Sequence, residues 1–137
     1  MINIIITGGS SSIGRELISK LSLKKVNIIY QINKSKPFTK KKNISFIRSD
    51  FCNYVSLKKF INFVTKKTNK IDFLIHLPSS KIKIKKFEDY SWFEINSQIN
   101  IQVRSLHFLL TSLIKKKMLS RKTKIIILGS EATSGKL

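Results

Sequence analysis

Acidic residues are scarce in this chain of 137 residues: 7 Asp+Glu stand against 27 Lys+Arg, a formal charge of +20. Cysteine occurs once, at Cys52, which excludes a disulfide scaffold and fits a reducing compartment. The two histidines and the one cysteine lie too far apart in sequence to make a recognisable metal site. No apolar run approaches the roughly 18 residues of a membrane span, so no membrane partner is expected. The start, Met1 to Gly9, lacks a basic leader segment and runs straight into a glycine turn, so a cytoplasmic chain is expected. What the sequence does hold is apolar: 42% of its residues are hydrophobic, which excludes a disordered basic tail. The length suits one domain, residues 1–137, able to hide about two-thirds of its unfolded surface.

The charge has a plain origin. Of the basic residues 23 are Lys and 4 are Arg, and 23 Ile and 9 Asn accompany a single Ala. Lys, Ile and Asn have AT-rich codons, so the composition reads as that of an AT-biased genome writing Lys wherever a surface tolerates it. Nucleic-acid sites favour the planar, bidentate fork of Arg. A nucleic-acid partner is therefore not expected.

Apolar periodicity alternates short strands with longer helices. Strands are expected at Asn3 to Thr7, Val26 to Ile32, Ile44 to Ile47, Ile71 to Leu77 and Lys124 to Leu128. Between them, Ile13, Leu17 and Leu21 with Ile18 mark one helix face over 13–23, and Leu57, Phe60, Ile61 and Val64 mark another. Trp92, Ile95, Ile99, Val103, Leu106, Leu110 and Leu113 step by three and four, which predicts one long amphipathic helix. Lysine-rich 34–42 and 81–86 read as solvated loops. Strands that are unbroken Ile/Val/Leu runs are buried on both faces, the mark of a parallel sheet covered by helices. The fold class is thus α/β, a doubly wound parallel sheet.

The strongest chemical signal is Thr7-Gly8-Gly9-Ser10-Ser11-Ser12-Ile13-Gly14, directly after the first strand and directly before the first helix. Small residues there let the backbone approach a pyrophosphate, and the helix N-terminus adds partial positive charge. The plainer alternative is a Ser/Gly-rich turn with Ser12 as the helix cap. Its position after strand one favours the nucleotide site.

These residues resemble the short-chain dehydrogenase/reductase family, whose cofactor motif is Thr-Gly-x-x-x-Gly-x-Gly. Thr7, Gly8 and Gly14 match, and Ser12 stands in place of the middle Gly. Three further stretches match in order: Ser49-Asp50-Phe51-Cys52-Asn53, Ile71 to Ser79, and Lys124 to Ser130. The resemblance implies a Rossmann-type sheet of strand order 3-2-1-4-5, with Ser10, Ser11 and Ile13 also on the phosphates. It places Asp50 with Phe51 at the adenine, and His76, Leu77 and Pro78 along the cofactor crevice. It implies hydride transfer between a nicotinamide dinucleotide and a small carbonyl or alcohol substrate. Ser130 would orient the substrate oxygen, and Asn100, one turn from Asn96, would support a proton relay.

No acidic residue lies between Glu16 and Asp50, where NAD-specific sites place a carboxylate for the ribose 2′-OH. Lys34 and Ser35 at the end of strand two suit a 2′-phosphate instead, so NADP(H) is expected over NAD(H). The family's catalytic Tyr-x-x-x-Lys has no counterpart after Ser130. Tyr30, Tyr54 and Tyr90 are followed four residues on by Lys34, Lys58 and Glu94, and all precede that serine. The expectation is a Rossmann portion incomplete at its C-terminus and inactive alone. The helix at 92–118 resembles one that many members use to form homo-oligomers. The alternative is a non-catalytic Rossmann-type module binding nucleotide or RNA.

Overall fold

A computed structural model describes residues 1–39, 41–78 and 85–128. Five strands, β1 (Ile2–Thr7), β2 (Val26–Ile32), β3 (Ile44–Arg48), β4 (Phe73–His76) and β5 (Lys124–Ile127), form one sheet in the order β3-β2-β1-β4-β5. Every neighbouring pair is parallel, with Ile4 opposite Ile28 and Phe73, and Ile75 opposite Ile126. The doubly wound Rossmann-type sheet is therefore present with the expected strand order.

Side chains alternate across each strand and so divide between two cores. Ile5, Ile29 and Leu74 point to the side of α2 (Tyr54–Lys67) and α4 (Ser105–Lys115), where they meet Leu57, Phe60, Val64, Leu109 and Leu113. Ile4, Ile6, Ile28, Tyr30 and Ile75 point the other way, onto Ile18 of α1 (Ser12–Leu21). β1, which runs into the glycine turn, and its neighbour β2 are buried on both faces from Ile4 and Ile28 onward. At the opposite end of the sheet Asp72 ties β1 to β4, accepting from the Asn3 N–H at 2.9 Å and pairing with Lys70 at 2.8 Å. Those contacts hold its carboxyl below the usual range, the Lys70 bond being the largest cause.

Three expectations change. β5 is not buried on both faces: Ile125, Ile126 and Ile127 stay 44, 46 and 56% exposed, because β5 pairs with β4 on one side only among the described residues. Ile13 does not share the buried face of α1; Ile18 is inside with Leu17 and Leu21 against it, and Ile13 is exposed. The long helix is broken into α3 (Trp92–Ile99), a π-helical segment (Asn100–Arg104) and α4. A π turn carries one extra residue, which rotates the later turns of the helix by about 100° at 3.6 residues per turn. The single stripe is split accordingly. Leu109 and Leu113 are buried, while Trp92, Ile95, Ile99 and Val103 are exposed. Ser91 caps α3 in a reciprocal capping box with Glu94, whose carboxylate also pairs with Lys85 at 2.7 Å.

Candidate nucleotide cleft

The turn between β1 and α1 is held by β2. Gly8 N–H donates to the Gln31 side-chain oxygen at 2.8 Å and Gly9 N–H to the Gln31 carbonyl at 2.9 Å. Gln31 in turn donates through Nε2 to the Ser49 carbonyl at 2.6 Å, so one side chain joins the turn to the end of β3. Gly8 has φ of +71°, and a Cβ there would lie 2.7 Å from the backbone of Leu77 and Pro78. The helix cap is Ser11 rather than Ser12: its Oγ accepts from Gly14 N–H at 3.0 Å and donates to the Gly8 carbonyl at 2.9 Å. The cap falls one residue earlier because the turn closes through Ser11 N–H on Gly8. Among the described residues nothing accepts from the N–H groups of Ser12 and Ile13, the first two positions of α1. Two free donors at a helix N-terminus suit an anion.

Above this turn lies a cleft of about 310 Å³ at the C-terminal ends of β1, β2 and β4. Its walls bring together Gly8, Ser10 and Ser11 from the turn, Ser35 beyond β2, Asp50 and Phe51 beyond β3, and Leu77 and Pro78 beyond β4. Sequence reasoning singled out all eight. It missed Gln31, Asn33 and Ile101, which line the same cleft. A signal existed for Gln31, a polar residue at the C-terminal end of a mostly apolar strand; none existed for Ile101, which arrives from the π-helical segment. Thr7 and Gly14 are buried at the turn, and Ser12 and Ile13, which follow the cleft wall Ser11 in sequence, do not line the cleft but a separate depression with Glu16 and Leu17. Lys34 is exposed and outside the lining. Asp50 is placed by its backbone, donating to Ser56 Oγ at 2.8 Å, while its Oδ1 accepts from Cys52 N–H at 2.9 Å.

His76 ends β4 with its side chain turned inward. Only 4% of it is exposed, Nδ1 is 2.8 Å from Thr7 Oγ1, and Phe51 stacks on the ring at 6.5 Å. Nε2 is buried without a hydrogen-bond partner. Burial drives the ring's pKa from 6.5 down to about 4; the Ile101 backbone, near the ring but not in hydrogen-bonding geometry with Nε2, offsets part of the fall. Stability should depend on pH as a result. Above pH 6.5 the ring is neutral whether the chain is folded or not. As pH falls from there towards 4, the unfolded chain takes up a proton that the folded chain refuses, so stability drops. The loss should reach about 3 kcal/mol at the acid end. Urea unfolding at about pH 7 and about pH 5 should show it, and His76→Asn should flatten that slope. An unchanged slope in the variant would assign it to other groups.

Asn100 opens the π-helical segment, and its Oδ1 accepts from Arg104 Nη1 at 2.7 Å. It does not line the cleft; its neighbour Ile101 does. Ser130 lies outside the described residues. Tyr30 is fully buried between Phe38 and Phe46, and Tyr54 packs edge-on to Phe108 at 4.9 Å with Lys58 over its ring. Neither tyrosine lines the cleft. No group of three or more His, Cys, Asp or Glu able to hold a metal ion occurs among the described residues, and no described helix is long and apolar enough to cross a membrane.

A parallel doubly wound sheet with a glycine turn under a cleft at its strand C-termini defines a Rossmann-type domain. The family model for short chain dehydrogenase matches residues 3–136, and the chain belongs to that family. No curated protein matches it. Among solved structures, it is similar to a short chain dehydrogenase family protein from Francisella tularensis, with 21% identity and a TM-score of 0.82 over 96% of this chain and 52% of that one. A short chain dehydrogenase from Leptospira borgpetersenii with bound NAD+ gives 20% identity and a TM-score of 0.83 over 99% and 54%. One from Burkholderia cenocepacia in complex with NADP gives 16% and 0.82 over 99% and 58%. The chain thus spans little more than half the length of these relatives.

Proposed function

We propose that the chain is the dinucleotide-binding part of an NAD(P)-dependent oxidoreductase, passing hydride between NADP(H) and a small carbonyl or alcohol substrate. The observation that carries this reading is the pair of free N–H groups of Ser12 and Ile13 at the start of α1, directly after the cleft walls Ser10 and Ser11 of the Gly8–Gly14 turn. They would take the pyrophosphate, with the Ser10 hydroxyl beside them. The close approach of α1 to the turn leaves no room for a side chain at Gly14. Asp50 and Phe51 would flank the adenine, and Leu77 and Pro78 would line the path toward the nicotinamide. When bound, the nicotinamide supplies or accepts the hydride. Ser130 would orient the substrate oxygen and Asn100 would support proton supply. The NADP and NAD+ held by the Burkholderia and Leptospira proteins support the cofactor class. The unpaired Cys52 suits a reducing, cytoplasmic setting. A homo-oligomer in a longer protein would cover the exposed Trp92, Ile95 and Ile99 of α3.

The preference for NADP(H) rests on the rim after β2, where Asn33, Lys34 and Ser35 stand and no acidic residue takes the place that a ribose 2′-OH would need. Calorimetric titration should give NADPH an affinity about tenfold or more above that of NADH, as a charge-assisted phosphate contact warrants. Equal affinities would remove the preference. Binding should change little with salt. A steep loss with RNA instead, near a log–log slope of −0.7 per phosphate contact, together with no dinucleotide binding, would replace this function with a nucleic-acid one.

A further inference from the structure

Two cations stand near the rim where a 2′-phosphate would fall, and the geometry separates them. Lys34 and Arg15 are both exposed and both outside the cleft lining, so what separates them is how each side chain is held. Arg15 is held at two points. Its Nε donates to the Ser10 carbonyl at 3.1 Å, and its guanidinium carbon lies 4.9 Å from the centre of the Phe38 ring. Ser10 is a wall of the cleft, and Phe38 comes three residues after Ser35, another wall. Phe38 is itself fixed, packing against Tyr30 at 5.4 Å and onto the buried core beneath α1. The guanidinium therefore lies between the glycine turn and the segment that follows β2. No carboxylate among the described residues pairs with it; Glu16, its neighbour, pairs with Lys20 instead. With Nε engaged, the terminal nitrogens keep their donors for a partner. A planar fork held at two points and unpaired is well suited to a phosphate, and it loses less freedom on binding than a mobile ammonium.

We propose that Arg15, clamped between the Ser10 carbonyl and the Phe38 ring, is the residue that reads the ribose 2′-phosphate, with Ser35 as a neutral donor beside it. The proposal rests on the dinucleotide reading of the cleft and adds the specificity residue to it. Lys34 then contributes only as a nearby charge, screened by salt over about a Debye length.

Calorimetry on the 137-residue protein with NADPH, NADH, 2′,5′-ADP and 5′-AMP tests this, using the parent and the variants Arg15→Gln, Arg15→Lys and Lys34→Gln. Arg15→Gln should weaken NADPH and 2′,5′-ADP by about ten- to a hundredfold, the range for hydrogen bonds to a charged group. NADH and 5′-AMP should stay within about twofold, which also reports that the variant is folded. Arg15→Lys should keep part of the discrimination, and Lys34→Gln should cost about threefold or less. Equal weakening of all four ligands by Arg15→Gln would make Arg15 a brace for the turn and overturn the assignment. So would discrimination that vanishes with Lys34→Gln and survives Arg15→Gln. A parent that binds none of the four removes the dinucleotide reading and this inference with it. A parent that binds NADPH and NADH alike, unaffected by Arg15→Gln, removes the inference alone.

Discussion

Gly14→Val is expected to abolish dinucleotide binding, with affinity for NADPH falling at least about a hundredfold in a calorimetric titration. The reason is close approach. A Cβ on Gly14 would sit 2.7 Å from the Gly8 carbonyl oxygen, 2.8 Å from Gly9 Cα and 2.9 Å from the Gly9 carbonyl carbon. All three are backbone atoms of a turn that Gln31 fastens to β2, so the turn cannot yield without breaking those bonds. The helix must move instead. Displacing α1 carries the Ser12 and Ile13 N–H groups away from the cleft and takes the Ser11 cap off Gly14. Overpacking of this kind costs about 1–3 kcal/mol, occasionally more. The thermal midpoint should therefore fall as well, with the far-ultraviolet spectrum retained. Gly14→Ala should act in the same direction and less severely, having no branch. A valine variant that binds NADPH within about threefold of the parent would mean the cleft does not use the N-terminus of α1.

The second large effect is on turnover. The polypeptide of 137 residues is expected to bind NADPH and yet reduce aldehydes or ketones no faster than background, as read from loss of cofactor absorbance. Proton supply is the step on which this outcome turns. An unassisted serine hydroxyl such as that of Ser130 is too weak an acid near neutral pH, and positioned acid–base catalysis is worth about 10²–10⁴-fold. The tyrosines with a lysine four residues on do not fill the gap. Tyr30 has its hydroxyl buried without a partner, and burial raises its pKa. Tyr54 packs edge-on to Phe108, where α2 meets α4 and away from the cleft. A longer chain that supplies Tyr and Lys after Ser130, in the family's spacing, should restore reduction. Turnover by the 137-residue polypeptide alone, unaffected by Ser130→Ala, would overturn the mechanism.

Much of the sheet is legible from the sequence because the strands of a covered parallel sheet are nearly pure Ile/Val/Leu runs. Ile4-Ile5-Ile6 and Ile28-Ile29 need no other information to be recognised. The glycine turn is legible for a related reason. Gly8 at positive φ and Gly14 under backbone contact are positions where only one residue type fits, so the constraint is written in the residue itself. Periodicity fails where burial depends on what lies opposite. Trp92, Ile95, Ile99 and Val103 repeat as regularly as any buried face, yet they are exposed, because nothing among the described residues covers that face of the helix. The extra residue of the π-helical segment is equally silent, since Asn100 to Arg104 carry no Gly or Pro to announce it.

By itself, then, the sequence determined the α/β class, the order of elements, the turn that faces the cleft and the absence of a carboxylate at the end of β2. Each of these is a local property, set by residue type, spacing or backbone permission. Only the tertiary structure decided which groups meet across the chain: Gln31 between Gly8 and Ser49, Thr7 against His76, Ile101 brought into the cleft from a π turn, and Arg15 laid on Phe38. These contacts join residues on different elements, and their geometry is set by sheet register and helix phase. No single segment carries that information, because register and phase are fixed by the packing of the whole layer against its two cores.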